Sequence, residues 1–153
     1  VNAMDNNPKV VLSHTSYYRK TENSQEVIAS GKFTGHIYPK LLRNCPIAMP
    51  TVMIRKDLLG AHRFPVNIDC NDDLILWAEL AKHHPILGID KPLSIVNVGA
   101  STNAFNPERQ LTAIKNVVDY IKQDKGLNLI QRMRLLNHWK KVERERNWLL
   151  NDK

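Results

Sequence analysis

Three carboxylates, Asp69, Asp72 and Asp73, stand almost together in a chain that otherwise carries excess positive charge. Asp72 and Asp73 follow Asn71 and precede Leu76, Trp77, Leu80 and Ala81, whose spacing makes an apolar stripe along a helix. The spacing predicts a helix over 71–83, with Asn71 as its N-cap and both acids in its first turn. Helix capping alone accounts for acids in a first turn, where each stabilises by ~0.3–1 kcal/mol. Adjacent helical residues project about 100° apart, however, so one acid can serve the helix end while the other faces a cleft. A carboxylate so placed can act as a general base when the proton it takes lies within ~3 Å.

Other chemistries find less support. The six glycines are scattered, with neither a G-x-G-x-x-G run nor a Walker pattern to cradle phosphates. His83 and His84 are adjacent, so on a helix their rings point apart, which is poor metal-ligand geometry. Cys45 and Cys70 cannot build a disulfide framework or a zinc finger on their own, and free thiols suit a reducing compartment. No Ser or Cys sits in a nucleophile-elbow context.

The elements that must position the acids belong to a chain of 153 residues and 17.6 kDa, enough for one domain with a sizeable core. Hydrophobic residues make up 42% and charged residues 24%, which excludes wholesale disorder. No uncharged apolar run reaches the roughly 20 residues a bilayer crossing needs. A buried strand is expected over 9–13, a long polar loop over 21–35 and a short helix over 38–43. A short strand at 51–54 and a helical turn at 56–59 follow. Beyond the 71–83 helix come two extended pieces, 86–89 and 93–98, then helices over 107–122 and 127–150. The pattern is mixed α/β to about Thr102 and helical after it.

Four stretches in this order carry a resemblance: Pro50-Thr-Val-Met-Ile-Arg-Lys; Phe64; Asn71-Asp-Asp-Leu-Ile-Leu-Trp-Ala-Glu-Leu-Ala; and Lys91-Pro-Leu-Ser. Together they resemble the C-terminal, acceptor-side half of family 2 glycosyltransferases of the GT-A fold. Asn6-Asn7-Pro8 with the run that follows looks like the joint that precedes this region. Asp72-Asp73 stands in place of the family's Glu-Asp pair. Departures are Asp72 for Glu, Ile75 for a second acid, Glu79 for a helix Arg and His62 for a Gly; the basic residue and His after the last strand are not evident.

The resemblance implies an α/β fold, a mixed α+β fragment of a GT-A type domain, with a helical C-terminal extension. Residues 5–102 would be the acceptor-side part of the catalytic domain and 103–153 the extension. It implies inverting transfer of a hexose from a nucleotide-sugar donor to an acceptor hydroxyl, in synthesis of a bacterial-type surface glycan. Asp73 would be the base and Asp72 its neighbour, with Thr51 and Arg55 lining the acceptor cleft. A divalent metal, Mn or Mg, is expected only in the intact enzyme, on a D-x-D motif in a half preceding this chain. No cofactor or metal is expected on the chain itself, which alone would be inactive. Expected partners are the donor, a glycan or lipid-linked acceptor and the missing half of the domain.

The net charge of +7 favours polyanionic partners. Six bases, Arg132, Arg134, Lys140, Lys141, Arg144 and Arg146, face only Glu143 and Glu145 in the last helix. That concentration suggests an anionic membrane surface, hence a cytoplasmic protein peripheral on the inner membrane face, or a homodimer through the C-terminal helices. The competing reading is a basic helical module that binds nucleic acid or a protein without catalysis. No zinc, helix-turn-helix or basic-zipper signature accompanies it, so nucleic acid is not expected as a partner.

Overall fold

The computed structural model describes residues 2–99 and 106–151. After a single-turn helix α1 (Asn2–Asp5), strand β1 (Leu12–Lys20) forms the centre of a four-stranded mixed sheet. One edge of β1 pairs in parallel with β4 (Ile86–Asn97), from Leu12↔Ile86 to Lys20↔Asn97. The other edge pairs antiparallel with β3 (Met53–Ile54) at its start and β2 (Gln25–Ile28) at its end. The start of β1, Leu12 to His14, is buried, whereas Arg19 and Lys20 reach solvent. A Thr21–Ser24 turn, closed by Thr21 N–H to Ser24 O at 2.8 Å, makes β1 and β2 a hairpin.

Parallel neighbours require a crossover. Here it runs through β3, the short helix α2 (Lys56–Leu59) and α3 (Asp72–His83). Leu74, Leu76, Trp77, Ala78, Leu80 and Ala81 of α3 meet Val11, Leu12 and Ile86 of the sheet side in one core. Pro85 ends the helix and delivers the chain directly into β4.

A second contact fixes the far part of the sheet. Ser16 Oγ donates to Asp90 Oδ1 at 2.9 Å and accepts the Gly31 N–H at 3.1 Å. Ser30 Oγ donates to Thr15 O at 2.7 Å, and the His14 Nε2–H donates to Phe33 O at 2.7 Å. The 30–32 turn thus lies flat on β4. A Cβ on Gly88 would sit 1.9 Å from Gly31 O, and one on Gly31 would sit 2.4 Å from Asp90 N.

The C-terminal helices belong to the same core. Val117 and Ile121 of α4 (Pro107–Gln123), Leu127, and Leu135 of α5 (Leu129–Asn151) join the cluster around α3. Asn106 accepts the Arg109 N–H and Pro107 opens α4. Asn128 and Gln131 cap α5 reciprocally: Gln131 N–H to Asn128 Oδ1 at 2.9 Å and Asn128 N–H to Gln131 Oε1 at 3.1 Å. A charged joint links α3, the end of α4 and the loop that carries Tyr38. Asp124 accepts from Tyr38 Oη, from Lys82 Nζ at 2.9 Å and from the Gly126 N–H at 2.8 Å. Lys82 also pairs with Glu79 at 2.7 Å, which accepts from Tyr120 Oη.

The mixed α/β class with helical C-terminal elements is what the sequence implied. Several expected elements differ. β1 runs on to Lys20, and β2 occupies part of the segment expected as loop. The helix expected at 38–43 is a 3-10 turn, Lys40–Leu42, because Cys45-Pro46 leaves no room for a second turn. The two extended pieces after α3 are one strand, whose register against β1 shifts around Pro92. Asn71 occupies the N-cap position but its side chain does not cap: its backbone is left-handed, φ 62°, and its amide reaches α4 instead. The boundary expected at 102/103 lies outside the described residues.

Candidate active site

The acids sit where a loop is turned sharply into α3. The left-handed Asn71 reverses the chain after Asp69-Cys70, so that Asp72 and Asp73 open the helix with Asp69 beside them. The first turn of α3 leaves backbone N–H groups unpaired, and the helix dipole favours negative charge there. Asp73 Oδ1 uses this by accepting the Leu74 N–H at 2.7 Å.

Three clasps bring α4 across this loop. Asn71 Nδ2 donates to Ala113 O at 3.1 Å, Asn116 Nδ2 donates to Cys70 O at 2.9 Å, and Arg109 pairs with Asp69 at 3.3 Å. Between loop and helix lies a depression of ≈ 340 Å³. Asp69, Asp72 and Asp73 form one wall, Arg109, Gln110 and Ala113 the other, and Met49 closes an end. Asp73 is half-buried. Burial pushes its carboxyl above the ordinary aspartate range and the neighbouring charge of Asp72 adds to this, while the bond from Leu74 opposes. Such a carboxylate binds a proton more readily than an exposed one, which suits a base taking a proton from a hydroxyl.

The structure brings Asp72 and Asp73 together and sets Thr51 and Arg55 elsewhere. Thr51 is buried in the Met49–Thr51 turn, its hydroxyl donating to Ala48 O at 2.7 Å. The Arg55 guanidinium donates to Val10 O at 3.3 Å and to Met4 O at 2.6 Å, tying down the N-terminal segment. Cys45, close enough to feel Asp73, has its thiol pushed up to about 12, chiefly by burial, so it stays protonated and is no nucleophile at neutral pH. Arg109 and Gln110 belong to no motif that the sequence displays. Their one signal is weak: a base in the first turn of a helix opposes the dipole and so asks for an acid outside that helix.

Comparison with known proteins adds an independent line. The chain is 38% identical over 121 residues, 77% of its own length and 20% of the relative's, to a protein of Rickettsia conorii named an uncharacterized glycosyltransferase. A Rickettsia felis protein of the same description matches with the same figures. A third, from Rickettsia bellii, is 39% identical over 114 residues, 72% of this chain and 16% of the relative. The chain is similar to proteins named as glycosyltransferases. It spans about a fifth of the length of these curated relatives. No family model matches the chain, and no solved structure matches it significantly.

Proposed function

We propose that this chain is the acceptor-side part of a glycosyltransferase of family 2 and the GT-A fold. In this reading the intact protein transfers a hexose from a nucleotide sugar to a hydroxyl of a growing surface glycan or its lipid-linked precursor. The observation that supports it is Asp73: a half-buried, proton-avid carboxylate at a helix start, open to a depression, in a chain similar to named glycosyltransferases.

The acceptor hydroxyl lies in the depression with its proton toward Asp73. As Asp73 takes that proton, the oxygen attacks the anomeric carbon from the face opposite the nucleoside diphosphate. The bond from that carbon to the diphosphate oxygen breaks, the nucleoside diphosphate leaves with the electron pair, and configuration inverts. Asp72 stands beside Asp73, and its proximity adds to that raised proton affinity. Arg109 gives the opposite wall a cation that orients acceptor oxygens, while Asp69 holds it in place. Thr51 and Arg55 act from behind, one fixing the turn that carries Met49 and the other the strand start. Among the described residues no group of three His, Cys, Asp or Glu side chains is placed to hold a metal ion. In this reading the divalent ion of the intact enzyme draws its ligands from a part of the protein outside this chain, and the chain alone neither transfers sugar nor binds donor tightly.

Two measurements test the reading. Calorimetry of the chain with UDP- and GDP-sugars and manganese should show no saturable heat; tight metal-dependent binding would place the donor site here and refute the division of labour. In the full-length protein, incorporation of labelled sugar into envelope glycan should vanish with Asp73→Asn while the circular dichroism spectrum is unchanged. Undiminished incorporation removes Asp73 as the base.

A further inference from the structure

Helix α5 has two unlike faces. At about 100° per residue, Leu135, Leu136, Trp139 and Val142 fall within an arc of about 120°. This arc points inward: Leu135 is buried, Leu136 and Trp139 pack on the core, and Trp139 Nε1–H donates to Leu42 O at 2.8 Å. The opposite arc, of about 140°, carries Leu129, Ile130, Met133 and Trp148 together with Arg134, Lys140, Lys141 and Arg144. Its apolar side chains are open to solvent: Leu129 is 70% exposed, Ile130 63%, Met133 55% and Trp148 63%. Lys141, Arg144 and Trp148, with Glu145, line a shallow groove of ≈ 580 Å³.

The charges on this arc are arranged unlike those of a merely solvated helix. On α4, exposed Lys115 and Lys122 are both paired with Asp119, at 2.9 and 3.4 Å. On α5, Arg134, Lys140 and Arg144 have no ion pair among the described residues, and Lys141 alone has Glu145, at 3.8 Å. The outward face thus combines uncompensated cations with large apolar side chains interleaved among them. Nucleic acid would use the cations and leave Leu129, Ile130, Met133 and Trp148 without partners. A second copy of this face would bring like charges together. A bilayer surface with anionic headgroups satisfies both groups, the phosphates meeting the cations while the apolar side chains enter the acyl boundary. Among the described residues no helix is long and apolar enough to cross a membrane, so α5 would lie along one.

We propose that the outward face of α5 is a docking surface for an anionic lipid bilayer. It stands independently of glycosyl transfer. The test is co-sedimentation of the 153-residue chain with phosphatidylcholine vesicles made with and without phosphatidylglycerol, together with tryptophan emission. Binding should require phosphatidylglycerol, weaken with salt and shift emission to the blue, and Trp148→Phe should remove the shift. Changing Arg134, Lys140, Lys141 and Arg144 together to Gln should lower partitioning about a hundredfold or more, since each base near the surface is worth about fivefold. Met133→Gln with Trp148→Ala should lower it about tenfold with the bases intact. All these side chains are exposed, and an unchanged melting curve verifies that each variant folds. No sedimentation at low salt overturns the proposal. So does binding indifferent to the apolar substitutions but competed by duplex DNA, which would make the face a nucleic-acid site. Self-association of the chain that Trp148→Ala abolishes would make it a dimer face and overturns it equally.

Discussion

Asp73 and Asp124 are two partly or fully buried carboxylates with opposite proton affinities, and the difference lies in their partners. Asp73 has only backbone N–H groups, those of Leu74 and of its own residue, and a like-charged neighbour, so burial dominates and its carboxyl is raised. Burial pushes Asp124 up too, but Tyr38, Lys82 and the Gly126 N–H more than offset it and hold the carboxyl below the usual range. The signs of their pH linkage differ accordingly. A raised folded pKa means the native state binds more protons than the unfolded one, so stability falls as pH rises through it. Asp73→Asn should therefore melt higher than the parent near neutrality, with the gap closing below about pH 4, where aspartate is protonated in either state. The same variant of the full-length protein should lose turnover by ~10²–10⁴. Calorimetric scans across pH check the first expectation and initial rates the second; a destabilised Asn variant would mean that the charge of Asp73 is already compensated. Gly88 shows strain of a different kind. Gly88→Ala places a Cβ 1.9 Å from a backbone oxygen that no rotamer change can move away. A loss of ~3 kcal/mol or more in urea unfolding is expected, with Gly99→Ala, whose added Cβ meets nothing within 4 Å, as the tolerated comparison.

Elements with strong periodic or capping signals are legible in the sequence alone. The α3 helix ends where His83-His84-Pro85 says it must, and its apolar stripe is the core face. On α4, Ile114, Val117 and Ile121 are buried and Val118 only partly, while Asn116 turns toward Cys70. Strand β2 is hidden because an edge strand with Gln25 and Glu26 exposed has no apolar alternation to read. The two acids are visible as a pair, but the wall facing them is not, since Arg109 and Asp69 are 40 positions apart and only the fold brings them together. The joint of Tyr38, Glu79, Lys82, Tyr120 and Asp124 is invisible for the same reason. Asp124→Ala leaves Lys82 between two tyrosine rings without this counter-ion and should cost ~3 kcal/mol. The deficit belongs to pH values above the ordinary aspartate pKa and should shrink as pH falls through the depressed folded value. Urea midpoints at neutral and acid pH measure it; a deficit constant with pH would assign the loss to packing instead of charge.

For the whole molecule, the helical segment is a structural necessity to the sheet segment. Val117, Ile121, Leu127 and Leu135 complete the core on which α3 rests. Ile121→Ala should cost ~2–4 kcal/mol, and the intact chain should unfold in one transition. A chain ended at Gly99 should lose that cooperativity; a sharp transition in it would show that the sheet and α3 suffice. The central place of β1 also sets a schedule. Its hairpin partner β2 emerges almost at once, but Ser16 must wait 74 residues for Asp90. At ribosomal speeds of about 5–20 residues per second, one edge of β1 stays unpaired for roughly 4–15 s during synthesis. Over that interval the nascent chain exposes a strand edge that other chains can pair with, which makes expression temperature and chaperone supply, more than final stability, the factors governing how much folded protein a cell recovers.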